Sequence, residues 1–155
     1  MKNQTLLQTI CLGLISGMRS SLGPVFSCLY AGKRAKKMEK LHFMGKSNTG
    51  KLLGAMAVGE LIADKLPGMG NRTAAAGVIG RGMAGALAGA TLYECQGKQR
   101  WRGAAIGAAA AIAATYAFFY LRQGAVKQLK VKDRMAALAE DALAIGLGTL
   151  ATKLK

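Results

Sequence analysis

Six ionisable residues lie inside or at the edges of stretches that are otherwise apolar: Arg19, Glu60, Asp64, Arg81, Glu140 and Asp141. A charge within an apolar segment is costly in a bilayer unless it is paired or hydrated. Arginines and carboxylates can neutralise one another, and the planar guanidinium suits bidentate carboxylate binding. The pattern predicts that these side chains converge at a site for an ion, a proton or a small charged solute. Lys65 and Arg72 are secondary candidates.

The residue types leave the sign of the bound charge open. Glu60 and Asp64 are four residues apart and project from one helical face. Such a carboxylate pair can hold a shared proton, which suits proton coupling or cation binding. Arg19 lies in SGMRSSLGP, where a broken helix would aim N–H groups at an anion. The alternative to a functional site is a buried network that only fixes how the helices pack.

Hydropathy and charge together indicate a membrane protein. The 155 residues are 52% hydrophobic, yet the formal net charge is +15. Basic residues concentrate in two connections, from Lys33 to Lys51 and from Arg122 to Arg134, as they do in cytoplasmic loops between membrane spans. A soluble protein of this charge would be expected to bind nucleic acid, but few aromatic residues are available to stack on bases. No nucleic-acid partner is predicted.

Five segments approach the roughly 20 residues that a bilayer core requires. They cover residues 5–30, 51–66, 73–93, 103–121 and 135–150. The predicted fold is a single all-α integral membrane domain, residues 1–155, with about five helical segments, some of them short, broken or re-entrant. Arg19 and Pro24 break the first segment, which is retained as a span, and KLPGMGNR forms a second break. The distribution of Lys and Arg favours re-entrant second and fifth segments over five crossings, with dual topology as a further alternative.

Small residues recur at helical spacing on two of these segments. Gly77, Gly85 and Gly89 share a stripe with Arg81 on the third segment, and the fourth repeats the spacing with Gly103 and Gly107. Such stripes allow helix backbones to approach closely. They predict Gly/Ala-rich packing of a glycine-zipper kind and a homo-oligomer.

The basic loop, residues 32–50, is a candidate membrane-surface element. Met38, Leu41 and Phe43 are expected to enter the interface while the lysines from Lys33 to Lys51 bind anionic headgroups. The alternative is a plain positive anchor that orients the chain without specific lipid contacts.

Enzyme chemistry is not indicated. Ser16, Ser20 and Ser21 have no histidine in their segment, and His42 lies in the basic loop. The three cysteines lack the close spacing of a metal site. GKSNTGK lacks the spacing of a phosphate-binding loop. Neither an enzymatic activity nor a cofactor or metal is predicted.

Four sequence stretches resemble a known family: GLISGMRSSLGP, GELIADKLPGMGNRT, GRGMAGALAGA and AEDALAIGL. They are similar to the bacterial membrane proteins called domain of unknown function 4126. The resemblance implies an integral protein of the bacterial inner membrane that crosses it several times, with no established activity. Together with the charged residues, it leads to the expectation of a transporter or channel-like protein. A structural or accessory membrane subunit and a lipid-interacting protein are the alternatives.

Overall fold

The protein is all-α throughout the part of the chain that the structure describes. The computed structural model describes residues 2–32, 38, 40–63, 75–128 and 133–153. These residues form six helices and no strand: α1 (Lys2–Met18), α2 (Leu22–Gly32), α3 (Ser47–Ala63), α4 (Ala75–Cys95), α5 (Arg100–Gln128) and α6 (Asp133–Lys153). A short 3-10 helix, His42–Gly45, precedes α3. Six helices replace the five predicted segments because the first segment forms two. The predicted second break, KLPGMGNR, lies outside the described residues.

The first apolar segment breaks at Arg19, as predicted, but Pro24 has a different role. Helix α1 ends at Met18 and α2 begins at Leu22, whose N–H donates to the Arg19 carbonyl over 3.2 Å. Pro24 is the third residue of α2. Proline is tolerated in the first turn of a helix because an N–H there has no intrahelical partner. Pro24 therefore helps to start α2 rather than interrupting a helix.

Helix α2 folds back along α1, so the two form a hairpin and not one long span. Near the turn, a Cβ atom placed on Gly23 would lie 2.8 Å from the Leu12 carbonyl oxygen of α1. At the other end of α2, the Gln96 Nε2 group lies 3.2 Å from the Tyr30 hydroxyl and 3.3 Å from the Gln8 Oε1 atom of α1. The end of α2 therefore lies beside the start of α1. We call the turn Arg19–Ser20–Ser21 the tip.

The hairpin packs against α4, and α1 also packs against α5. Helices α4 and α5 cross with their backbones in close contact. A Cβ atom on Gly85 would lie 2.6 Å from the Ala111 Cβ atom, and one on Gly89 would lie 2.9 Å from the Gly103 carbonyl carbon. No side chain fits in this space. The predicted glycine stripe therefore serves a contact within one chain.

Replacing Gly85 by leucine is expected to destabilise the fold strongly, because the new side chain must separate α4 from α5. The matched control is Gly80→Leu on the same helix, where an added Cβ atom meets nothing within 4 Å. Both changes improve helix propensity equally, so a difference in melting temperature in detergent isolates the packing term. Equal melting of the two variants would contradict the close contact.

Contacts at both ends of the hairpin show the direction in which α3 and α6 run beside it. Helix α3 lies antiparallel to α2: Gly50 lies near the Cys28 thiol, and Glu60 contacts the tip. Helix α6 lies antiparallel to α1, with Asp141 at the tip and the Ala151 carbonyl bound to Gln8. We call the end that carries the 3-10 helix and the turn at 96–99 the loop end, and the opposite end the far end.

The tip lies about halfway along α5. The Gly17 carbonyl accepts a hydrogen bond from the Thr115 hydroxyl, and Thr115 is near the middle of that helix. From the loop end to this level, α4 and α5 carry buried residues at helical spacing. Beyond it, none of the described residues at 75–81 or 116–124 is buried. The hairpin fills one half of the bundle and leaves α4 and α5 open in the other half.

Two helices are long and apolar enough to cross a membrane: Ala75–Cys95 and the part of α5 from Arg100 to Gly124. Only 33% and 22% of their most apolar windows are buried inside the protein, whereas the core helix of a soluble protein is mostly buried. Large apolar side chains are also exposed on α3 and α6, including Leu52, Ile62 and Leu150. Much of the outer surface of the bundle is therefore apolar.

Candidate functional site

The tip brings together the first charged pair of the candidate site. The Arg19 side chain is 2% exposed, and its Nε and Nη2 atoms lie 2.7 Å and 2.6 Å from the Asp141 Oδ1 atom. Asp141 is 7% exposed and lies on α6. Arg19 is brought to this position because α1 ends at the residue before it. A buried arginine is thus neutralised by a carboxylate from the opposite end of the sequence.

Glu60 approaches the tip from α3 and binds the start of α2. Its Oε1 atom accepts hydrogen bonds from the Ser20 N–H and hydroxyl, both at 2.9 Å. Its Oε2 atom accepts from the Ser21 N–H at 2.9 Å and the Ser21 hydroxyl at 2.7 Å. These N–H groups have no partner within α2, because the first N–H groups of a helix point out of its end. The positive end of the helix dipole also favours a carboxylate there.

The anion position expected beside Arg19 is therefore occupied by a carboxylate of the protein itself. The sequence suggested that Glu60 would act with Asp64, but Asp64 lies outside the described residues, as do Lys65 and Arg72. The partners of Glu60 at the tip are neutral donors: two hydroxyls and two backbone N–H groups. All four donors stabilise the charged form of Glu60, and none of them is a cation.

Glu140 pairs with an arginine that the sequence did not single out. Its Oε2 atom lies 3.7 Å from the Arg122 Nη1 atom near the far end of α5. The Glu140 side chain is 6% exposed and that of Arg122 is 18% exposed. Glu140 thus contacts α5, whereas the next residue, Asp141, contacts the tip.

Arg81 lies on α4 at the same height as the tip. The adjacent Gly82 lies against Ile112 of α5, which is within the Ala111–Thr115 stretch that faces Gly17. Arg81 is half-buried. Of the six predicted site residues, Arg19, Glu60 and Asp141 therefore meet at the tip, Arg81 shares its level, and Glu140 lies directly beside Asp141.

A second polar cluster, absent from the sequence prediction, lies at the loop end. Gln96, in the turn between α4 and α5, contacts Thr5, Gln8 and Tyr30, and the Lys98 ammonium contacts the Thr5 hydroxyl. Amide and hydroxyl groups pair readily in a protein interior and carry no full charge. They are therefore a weaker sequence signal than a charge in an apolar segment. This cluster fixes the open ends of the hairpin against the α4–α5 turn.

The basic loop differs from its prediction in one respect. Met38 was expected to enter the membrane interface, but it is buried against the protein, with its sulfur atom 3.4 Å from the Cys95 thiol. Phe43 is exposed and Leu41 is half-buried. Lys33 to Lys37 lie outside the described residues.

Metal coordination is not indicated by the geometry of the described residues. In the ranges that the structure covers, no three His, Cys, Asp or Glu side chains are grouped so that they could hold a metal ion. The described acids at the tip instead bind arginine or the donors of Ser20 and Ser21.

Comparison with known proteins gives one match. The family model for a domain of unknown function, DUF4126, matches residues 6–154. The chain belongs to the DUF4126 family. The match spans the hairpin, the tip and the acids of α6, so the whole candidate site lies within the family's domain. No curated protein and no solved structure matches the chain.

Proposed function

We propose that this DUF4126 protein is a multi-pass protein of the bacterial inner membrane, with α3 to α6 crossing the bilayer. The hairpin of α1 and α2 enters from the loop end and returns to it. This hairpin takes the re-entrant role that the sequence assigned to the second and fifth segments. Support comes from the apolar outer surface and the tip position halfway along α5. A broken helix is tolerated at membrane depth where it is buried in protein or lines a cavity.

A topology experiment separates the hairpin from a single span. In a chain without its three native cysteines, Gln4→Cys and Asn48→Cys are expected to react with an impermeant thiol reagent from the same side of the membrane. Lys127→Cys should react from the opposite side. All three positions are exposed. If the first segment were one span, labelling of Gln4→Cys and Asn48→Cys would require opposite sides.

The function that this arrangement supports best is transport or channel-like passage of an ion or a small charged solute. The observation that carries the proposal is the layer of charged groups at the tip: Arg19 with Asp141, and Glu60 on the start of α2. Broken helices of this kind expose backbone groups to substrates and coupling ions in transporters. In this proposal the solute passes between the far end and the tip along the unburied stretches of α4 and α5, past Arg122.

In this proposal the residues have different roles. The Arg19–Asp141 pair holds α6 against the hairpin and sets the local charge. Glu60 is the group that exchanges its partners, because its partners at the tip are neutral donors and none of them is a cation. Arg81 and Glu140 line the approach to the tip. No enzymatic step is proposed.

The proposal is tested by flux into proteoliposomes, using a panel of inorganic ions and small charged solutes. Wild-type protein is expected to raise the flux of at least one of them above protein-free liposomes. Glu60→Gln should lose this flux, and Lys127→Gln, which removes an exposed charge away from the tip, should keep it. Wild-type flux equal to that of empty liposomes for every solute would overturn the proposal.

A structural or accessory subunit is the second candidate, and one observation favours it. Among residues 47–62 of α3, Ala57 is the one that is buried, while Leu52, Met56, Val58 and Ile62 are all more than half exposed. A partner subunit or a second copy of the chain could cover this face. The predicted homo-oligomer draws its support from α3, since Gly85 and Gly89 are used within the chain. A lipid-interacting protein is the third candidate.

A further inference from the structure

We propose that the loop end carries a preformed binding surface for anionic lipid headgroups. It consists of residues 40–51, which include the 3-10 helix and the first turn of α3, together with the first turn of α5. Its side chains, called here the headgroup surface, are Lys40, Phe43, Lys46, Lys51, Arg100, Trp101 and Arg102. All of them are exposed. The proposal rests on the membrane embedding proposed above and not on transport.

The protein holds this segment in place. The Glu94 Oε1 atom of α4 accepts hydrogen bonds from the Lys40 and Leu41 N–H groups, at 2.6 Å and 2.9 Å. The Cys28 thiol donates to the Met44 carbonyl at 2.6 Å, and the Met44 side chain is fully buried. The backbone of the segment is therefore attached to both α2 and α4. A surface that is ordered before binding loses less entropy when it binds.

Its charges suit phosphate groups. The sequence from Lys33 to Lys51 contains seven basic residues and one acid, Glu39. Glu94, the described acid that touches this segment, already binds two backbone N–H groups. The exposed lysines Lys40, Lys46 and Lys51 are thus available to an external anion. Each lysine near an anionic membrane surface contributes about 1 kcal/mol, or a factor of about five.

The aromatic and apolar side chains at this end of the bundle point to a bilayer rather than a nucleic acid. Phe43 is 45% exposed and Trp101 is 63% exposed. The Arg102 guanidinium lies 5.3 Å from the Trp101 ring centroid. On α3, the exposed Lys51 is followed directly by Leu52, which is 63% exposed. Such a boundary, with basic and aromatic residues above an apolar helix face, is typical of the headgroup level.

Trp101 gives a direct test, because it is the only tryptophan in the chain. The full chain is reconstituted in nanodiscs of phosphatidylcholine that contain a small fraction of brominated phosphatidylglycerol or, separately, the same fraction of brominated phosphatidylcholine. We expect the anionic lipid to be enriched at Trp101 by about fivefold or more, seen as stronger quenching of its fluorescence. The triple variant Lys40→Gln, Lys46→Gln, Lys51→Gln should show a clearly smaller preference for the anionic lipid, of which Arg100 and Arg102 keep a part.

The matched control removes three other lysines, by Lys127→Gln, Lys130→Gln and Lys132→Gln, and should keep the wild-type preference. Equal quenching of the wild type by both lipids overturns the proposal, as does an undiminished preference in the Lys40, Lys46 and Lys51 variant. Displacement of the anionic lipid by a short DNA duplex would indicate a nucleic-acid surface and also overturn it. None of these outcomes depends on flux, so the lipid proposal can fail while the transport proposal stands, and the reverse.

Discussion

Replacing Asp141 by asparagine is expected to destabilise the protein by about 3 to 5 kcal/mol, because it breaks a buried ion pair with the Arg19 guanidinium. Asparagine has nearly the same size and keeps one oxygen, so the change removes charge rather than volume. Thermal unfolding in detergent should show a melting temperature lower by on the order of 10 °C. The effect should be large because Arg19 is 2% exposed and lies 2.6 Å from Asp141.

The neighbouring acid supplies the control. Glu140→Gln should cost much less than Asp141→Asn, because Arg122 is 18% exposed and its contact with Glu140 is longer, at 3.7 Å. The double variant Arg19→Met, Asp141→Leu should recover most of the lost stability, since removing both charges leaves neither one stranded. Equal losses for Asp141→Asn and Glu140→Gln would contradict the assignment of the tip pair as the main structural ion pair.

Replacing Glu60 by glutamine is expected to release the start of α2, at a cost of about 2 to 4 kcal/mol. The NH2 group of the new glutamine is a donor, and it faces the N–H and hydroxyl donors of Ser20 and Ser21. A serine hydroxyl can rotate to accept from it, but the N–H group of Ser20 or Ser21 cannot. That N–H loses its partner, which costs about 1 to 3 kcal/mol, and the helix end loses its anion, which costs about 1 kcal/mol. Faster amide exchange at Ser20 and Ser21, measured by mass spectrometry, would accompany the lower melting temperature.

Two further variants sharpen the Glu60 prediction. Ser20→Ala with Ser21→Ala removes both hydroxyl donors but keeps the N–H groups and the charge, so it should cost less than Glu60→Gln. Gly59→Ala changes the residue beside Glu60 where an added Cβ atom meets nothing within 4 Å, and should keep or slightly raise stability because alanine favours a helix over glycine. Wild-type melting and exchange in Glu60→Gln would contradict the role of this carboxylate at the tip.

The sequence was most informative where a charged residue lies in an otherwise apolar segment. A charge in an apolar segment costs free energy unless it is paired or hydrated. This cost singled out Arg19, Glu60, Glu140 and Asp141. Their partners were harder to predict. Ser20 and Ser21 contribute neutral donors, and Arg122 lies at the edge of a basic connection, where a charge is ordinary. Pairing across 122 residues, as between Arg19 and Asp141, depends on the helix arrangement and not on local spacing.

The hairpin was missed for a related reason. Residues 5–30 have the length of one tilted span, and the turn that reverses the chain occupies only Arg19 to Ser21. Hydropathy alone does not distinguish a short break that kinks a helix from one that reverses it. The deciding contacts are tertiary: Gly23 against Leu12 near the tip, and the bonds of Gln96 to Tyr30 and Gln8 at the loop end.

Flux and melting measured on one preparation of Glu60→Gln test the central claim most directly. If the tip is the working site, the variant refolded into liposomes should lose transport of the solute that the wild type carries, or lose its pH dependence, at a temperature well below its melting point. The Gly59→Ala protein should transport like wild type. A Glu60→Gln protein that is folded, melts lower as expected, and still carries the solute at the wild-type rate across pH would contradict the account, because Glu60 would then be structural only.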